Sequence, residues 1–168
     1  MILVTVGTHN RGFDRLVRAA DNMARLIDEP MIIQYGSGSH IPQFVERAFR
    51  FTTGEEMQEL TAQARIVVMH AAAGSLIMAL LHGTPMVIVP RLSRYHEVRD
   101  DHQLQLAHAL DEQGRAVAVL EPSAAALLGA LDAATALDLR PVGGTHLVEA
   151  LKGQLAEWES AGDKERTR

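Results

Sequence analysis

Three short stretches of this chain carry residue types and spacings that could do chemistry: "GTH" at Gly7–His9, "HAAAGS" at His70–Ser75 and "RLSRYHEVRDDHQ" at Arg91–Gln103. The first two follow apolar runs and precede helical patterns. Small residues there let the backbone approach a ligand, and the N–H groups of a helix start attract anions. Gly74 and Ser75 open such a helix, with N–H groups and a hydroxyl suited to a phosphate. The same residues serve as an ordinary helix cap, with Ser75 bonding its own first turn while Ala71, Ala72 and Ala73 pack on a neighbouring strand. Both readings stand on these residues alone. Gly7 by itself reads as the pivot of a tight turn, and "GSGSH" at Gly36–His40 as a connector. In the third stretch Arg91, Arg94, His96 and Arg99 put positive charge beside Asp100, Asp101 and His102. That pattern is open to three readings: an arginine surface for phosphate or a partner, a helix capped by Asp101, or a metal site. The spacing matches no ordinary metal motif, so none is expected.

Other chemistries are excluded more firmly. There is no GxGxxG dinucleotide fingerprint, no GxxxxGK[ST] phosphate loop, no GxSxG elbow and no HExxH. The chain has no cysteine, which removes disulfides, thiolate zinc sites and a cysteine nucleophile, and fits a reducing compartment. A formal net charge of −5 gives no electrostatic case for nucleic acid, which calls for a clustered basic face. "MILVTVGTH" does not read as a secretory leader, and no apolar run approaches the roughly 20 residues that span a bilayer. The expected location is cytoplasmic, with any membrane association brought about by something else.

The elements that must position these stretches follow from periodicity. Short apolar runs at Met1–Val6, Met31–Tyr35, Arg65–His70, Met86–Pro90 and Ala116–Leu120 read as buried strands, and "RFTT" (Arg50–Thr53) as a weaker one. Between them, Phe13, Leu16, Val17, Ala20, Met23 and Ala24 recur at helical spacing. Helices are also expected at Glu55–Ala64, Ser75–His82 and His102–Gly114, the last closed by glycine. Pro122–Leu139 is alanine-rich and reads as helical. Thr145–Ser160 reads as a final amphipathic helix, followed by a polar, frayed tail at 161–168. Fully apolar strands alternating with helices imply an α/β fold, a Rossmann-like parallel sheet with helices on both faces. One domain over residues 1–160 accommodates all of it. In such a sheet ligands bind beyond the carboxyl ends of the strands, the edge at which all three stretches fall.

Taken in order, "VTVGTHNRGFDRLV", "QYGSGS", "EEMQELTAQARIVVMHAAAGSLIMALLHGTPMVIVP" and "DDHQLQLAHAL" resemble the C-terminal domain of glycosyltransferase family 28 over residues 1–120. The likeness is greatest to small stand-alone members. These include the catalytic subunit of the two-part N-acetylglucosaminyltransferase of dolichol-linked glycan synthesis and bacterial exopolysaccharide subunits of the PssE/EpsE type. The resemblance implies half of a GT-B enzyme: the Rossmann-like domain that binds a UDP-sugar, working with a separate membrane-associated subunit that holds a lipid-linked acceptor. The chain would then be peripheral to the membrane through that partner, with helix 145–160 as the docking element.

Carried onto this sequence, the resemblance implies that Gly7, Thr8, His9, Gly74 and Ser75 face the diphosphate. His102 and Gln103 would lie at the donor, with Gln103 on its sugar, and His70 would stand at the strand end as a catalytic residue or a loop stabiliser. Helix N-termini would stabilise the leaving UDP without a metal or other cofactor. The expected reaction is inverting transfer of a hexosyl, hexuronosyl or N-acetylhexosaminyl group during polysaccharide assembly. Two departures from the family pattern matter. Ala72 replaces the usual glycine after "HA", and Met78 stands where relatives often place an acidic residue suited to ribose hydroxyls. Methionine cannot accept those bonds well. The rival expectations are a non-catalytic accessory subunit that keeps the fold and partner surface, and a free-standing small-molecule enzyme.

Overall fold

A computed structural model describes residues 1–137. Helix 145–160 and tail 161–168 lie outside the described residues, as do the last two positions of the alanine-rich helix. The elements run β1 (Ile2–Thr5), α1 (Asp14–Ala24), β2 (Met31–Gln34), β3 (Arg47–Phe49), α2 (Gly54–Gln63), β4 (Ile66–Met69), α3 (Ala73–His82), β5 (Met86–Ile88), a 3-10 turn at Ser93–Tyr95, α4 (His102–Glu112), β6 (Val117–Ala118) and α5 (Ala124–Thr135). All strand pairs are parallel, in the order β3-β2-β1-β4-β5-β6. The order reverses between β1 and β4, where crevices open at the carboxyl edge of doubly wound sheets.

Side-chain alternation along β1 divides the core into two layers. Ile2 and Val4 face Phe13, Leu16, Val17 and Met23 of the α1 side and Leu127 and Leu131 of α5. Leu3 faces the other layer, where Leu60, Leu76, Leu80, Leu106 and Leu110 bring in α2, α3 and α4. The expected Rossmann-like sheet with helices on both faces is therefore present.

Three local expectations are corrected. The third strand is Arg47–Phe49, with Ile32 opposite Arg47 and Gln34 opposite Phe49, and not Arg50–Thr53. Thr53 instead caps α2, its hydroxyl accepting from the Glu56 N–H, so Arg50–Thr53 becomes the bend between strand and helix. This edge strand is only partly buried and lacks the apolar run that marks the others. Second, α3 begins two residues before Ser75. Its N-cap is Ala72, and no side chain caps it. Third, α5 starts at Ala124 behind a Ser123 cap that accepts from the Ala126 N–H, and its last helical residue is Thr135.

Candidate functional site

The loop after β1 is set by two side chains from neighbouring strands. Gln34, buried at the end of β2, accepts through Oε1 from the Thr5 hydroxyl (2.8 Å), the Val6 N–H (3.1 Å) and the Gly7 N–H (3.0 Å). Its amide nitrogen donates to the carbonyls of Gly7 (2.9 Å) and Arg50 (2.7 Å). Gly7 has φ +72°, and a Cβ there would lie 2.4 Å from Cε1 of His70. The residue must therefore be glycine for conformation and for space.

Behind the loop, Arg91 is 1 % exposed. It donates to the carbonyls of Val6 (3.1 Å), Arg11 (3.1 Å) and Gly12 (2.9 Å) and lies 4.6 Å over the Phe13 ring. Burial lowers its pKa to about 10, which still leaves it cationic at neutral pH. The arginine surface anticipated for 91–99 thus divides. Arg91 is an internal strut. Arg94 is exposed and paired with Glu121, and Arg99 is exposed.

A cavity of about 360 Å³ opens at the switch point between β1 and β4. It is lined by Gly7 and Thr8 from the first loop, by His70, Ala72, Gly74, Ser75 and Met78 around the start of α3, by Phe51 and Thr53 from the β3–α2 bend, and by Gly54 and Met57 from the start of α2. Because α3 has no side-chain cap, its first N–H groups stay available where Gly74 and Ser75 reach the cavity. A Cβ on Gly74 would meet no atom within 4 Å, so the space above it is open.

His70 is 6 % exposed, and its Nδ1 has no hydrogen-bond partner among the described residues. Burial, reinforced by the nearby Arg91 charge, pushes its pKa down to about 4. Such an imidazole is neutral at physiological pH and too weakly basic for efficient proton abstraction there. It can orient the Gly7 loop or donate a hydrogen bond.

The structure thus brings Gly7, Thr8, His70, Gly74, Ser75 and Met78 around one cavity, and separates the other expected residues from it. His9 lines a second cavity. Gln103 accepts from the Arg91 backbone N–H at 3.1 Å, and His102 contacts Gln105 and Asp100 at 3.4 and 4.0 Å. Asp101 occupies the N-cap position of α4 without a capping bond and binds Ser93 instead. Gly36–His40 is anchored away from the cavity: Asp14 accepts from the N–H groups of Ser39 and His40, and Asp21 contacts the His40 ring. Among the described residues no three His, Cys, Asp or Glu side chains are grouped to hold a metal, and no helix is long and apolar enough to cross a membrane.

Sequence reasoning missed Gln34 and the β3–α2 bend. A glutamine ending an otherwise apolar strand was the available signal for the first. The misplaced third strand hid the second.

Among solved structures, the fold resembles the glycotransferase of kitacinnamycin (TM-score 0.63, 20 % identity, 96 % of this chain and 39 % of that one). MurG of Acinetobacter baumannii gives 0.57 at 17 % identity, over 90 % of this chain and 49 % of that one. The solution structure of ALG13 gives 0.55 at 18 % identity, over 90 % and 92 %. At these identities the likeness establishes a fold shared with GT-B glycosyltransferases. In sequence, the human UDP-N-acetylglucosamine transferase subunit ALG13 is 30 % identical over 125 residues, 67 % of this chain. The mouse protein of the same name is 29 % identical over 66 % of it. The matched region is about a tenth of the length of these curated relatives, at 10 % of each. The model of the glycosyltransferase family 28 C-terminal domain matches residues 1–133, and to that family this chain belongs.

Proposed function

We propose that the chain is the donor-binding, catalytic subunit of an inverting UDP-sugar glycosyltransferase that acts with a membrane-associated partner on a lipid-linked acceptor. One observation carries this reading: an uncapped ten-residue helix starts at the switch-point cavity, with Gly74 leaving open space above its first turn. Backbone donors so placed suit a diphosphate, the group that binds the donor and accumulates charge as it leaves. The naming of the mammalian relatives as subunits of a UDP-N-acetylglucosamine transferase supports a nucleotide donor and a two-part enzyme.

In this mechanism the acceptor hydroxyl attacks the anomeric carbon opposite the diphosphate. The bond to the leaving phosphate oxygen breaks, and the configuration inverts. The N–H groups of α3 take up the charge left on UDP, and no metal or cofactor is invoked. The apolar side chains of Phe51, Met57 and Met78 offer a wall for the rest of the nucleotide. His70, neutral and against Gly7, positions the first loop. The base that removes the acceptor proton is assigned to the partner.

Calorimetry of the chain with UDP, alone and with its partner subunit, tests the reading. Micromolar to millimolar binding that a Gly74/Ser75 double variant loses is the expected result. No UDP binding in either state, with full transfer by a complex carrying changes at Gly74, Ser75 and Gln103, overturns it in favour of an accessory subunit.

A further inference from the structure

The cavity between β1 and β4 is unevenly supplied with hydrogen-bonding groups. Besides His70, the polar side chains that line it are Thr5, Thr8, Gln34, Thr52, Thr53 and Ser75. Four of these are engaged in the fold. The Thr5 hydroxyl donates to Gln34 at 2.8 Å, and both ends of the Gln34 amide are bonded to the backbone of Val6, Gly7 and Arg50. The Thr52 hydroxyl donates to Glu56, and the Thr53 hydroxyl caps α2 by accepting from the Glu56 N–H at 3.2 Å. Among the described residues the hydroxyls of Thr8 and Ser75 have no hydrogen-bond partner, and both belong to the loop and helix start assigned to the diphosphate.

Carboxylates are kept off the opposite wall. Among the described residues no Asp or Glu lines the cavity, and Glu56, next to the β3–α2 bend, is held by Arg47 at 2.6 Å and by Thr52. What remains there is the phenyl ring of Phe51 and the thioethers of Met57 and Met78. Met78 stands four residues after Gly74, about 6 Å along α3. That is the separation between a diphosphate at the helix start and the sugar ring of its nucleoside.

Resting on the donor reading of this cavity, we infer that the site does not read the ribose 2′-hydroxyl, with Met78 as the residue that sets this specificity. Nucleoside diphosphates with a 2′-deoxyribose, and sugars carried on them, are then ligands as good as UDP and UDP-sugars. A site discriminates strongly by a hydroxyl only where losing that hydroxyl strands a polar partner. A thioether is at most a weak acceptor, so the deoxy sugar leaves nothing unpaired. It lays a methylene on an apolar wall, where a hydroxyl gives up water for no equivalent bond. The diphosphate and its backbone donors are common to both nucleotides and supply the shared affinity.

The test is calorimetry of the full chain, alone and with its partner subunit, using UDP and 2′-deoxy-UDP in direct titration and in competition. The two should displace each other and differ in Kd by less than about three-fold, or favour the deoxynucleotide. Preference for UDP by more than about three-fold overturns the inference and leaves the donor reading intact. Binding of the two without competition overturns it as well. Met78→Gln supplies an amide of similar volume with no charge added beside the diphosphate. It should raise the preference for UDP over 2′-deoxy-UDP by about three- to ten-fold, while retained binding of 2′-deoxy-UDP reports that the variant is folded. An unchanged ratio overturns the role of Met78. If neither nucleotide binds in either state, the donor reading fails and this inference fails with it.

Discussion

Gly74→Ala separates ligand space from structural space. Gly74 is in the first turn of α3 at an ordinary φ, and a Cβ there meets nothing within 4 Å. The fold should accept alanine and gain about 0.4–1 kcal/mol from the reduced freedom of the unfolded chain and better helix propensity. For a chain of this size that raises the melting temperature by about 1–4 °C. The same methyl group occupies the approach to the first N–H groups of α3. Losing one or two charge-assisted hydrogen bonds, at about 1.5–3 kcal/mol in all, should weaken UDP binding about ten- to hundred-fold. Thermal unfolding and UDP calorimetry on one preparation read both effects. A variant that melts higher and still binds UDP as the wild type does would refute the placement of the diphosphate over α3. A variant that melts lower would refute the open space.

The folded-state pKa of His70 lies below the ordinary 6.5, at about 4, so the unfolded chain takes up a proton first as the pH falls. The stability this residue contributes is complete above pH 6.5 and is lost toward pH 4, by about 3 kcal/mol in total and roughly 2 kcal/mol by pH 5. Urea unfolding at pH 7 and 5 should show that drop, and His70→Asn should flatten it. An equal drop in the variant assigns the effect to other groups. Gln34→Leu removes five hydrogen bonds around the first loop and strands buried backbone groups. A loss of about 2–4 kcal/mol in urea unfolding is expected, and a loss below 1 kcal/mol would show that the loop holds without it. Met78→Glu puts an acceptor on the cavity wall. UDP binding should tighten about three- to ten-fold with less gain for 2′-deoxy-UDP, whereas equal gains for both nucleotides would show that ribose is not at this wall.

Periodicity made the parallel sheet legible because its strands are apolar on both faces: Ile2–Thr5, Ile66–Met69 and Met86–Ile88 are buried throughout. It failed at the edge, where β3 pairs on one side only and carries Arg47. Half of the candidate cavity was legible in the same way, since small residues between a strand and a helix mark a close backbone approach, as at Gly7 and His70–Ser75. The apolar side chain of Phe51 was illegible as a cavity wall because it comes from a bend that propensity placed in a strand, and that of Met57 because the expected helix did not fix which way its face turns. Arg91 was misjudged for a different reason. An arginine in a charged run ordinarily faces solvent, and only the convergence of the Val6, Arg11 and Gly12 carbonyls makes its burial affordable.

The strut formed by Arg91 bears on the entropy of binding. A guanidinium that grips three carbonyls of one loop from the root of another leaves neither loop free to rearrange without stranding a buried charge. The segments facing both cavities are thus held in shape before any ligand arrives. Ligand capture should then carry little ordering penalty, and amide order parameters along Gly7–Gly12 should be the same with and without UDP. In the two-part enzyme proposed above, closure over the substrates would belong to the approach of the partner as a rigid body, with this domain serving as the fixed jaw.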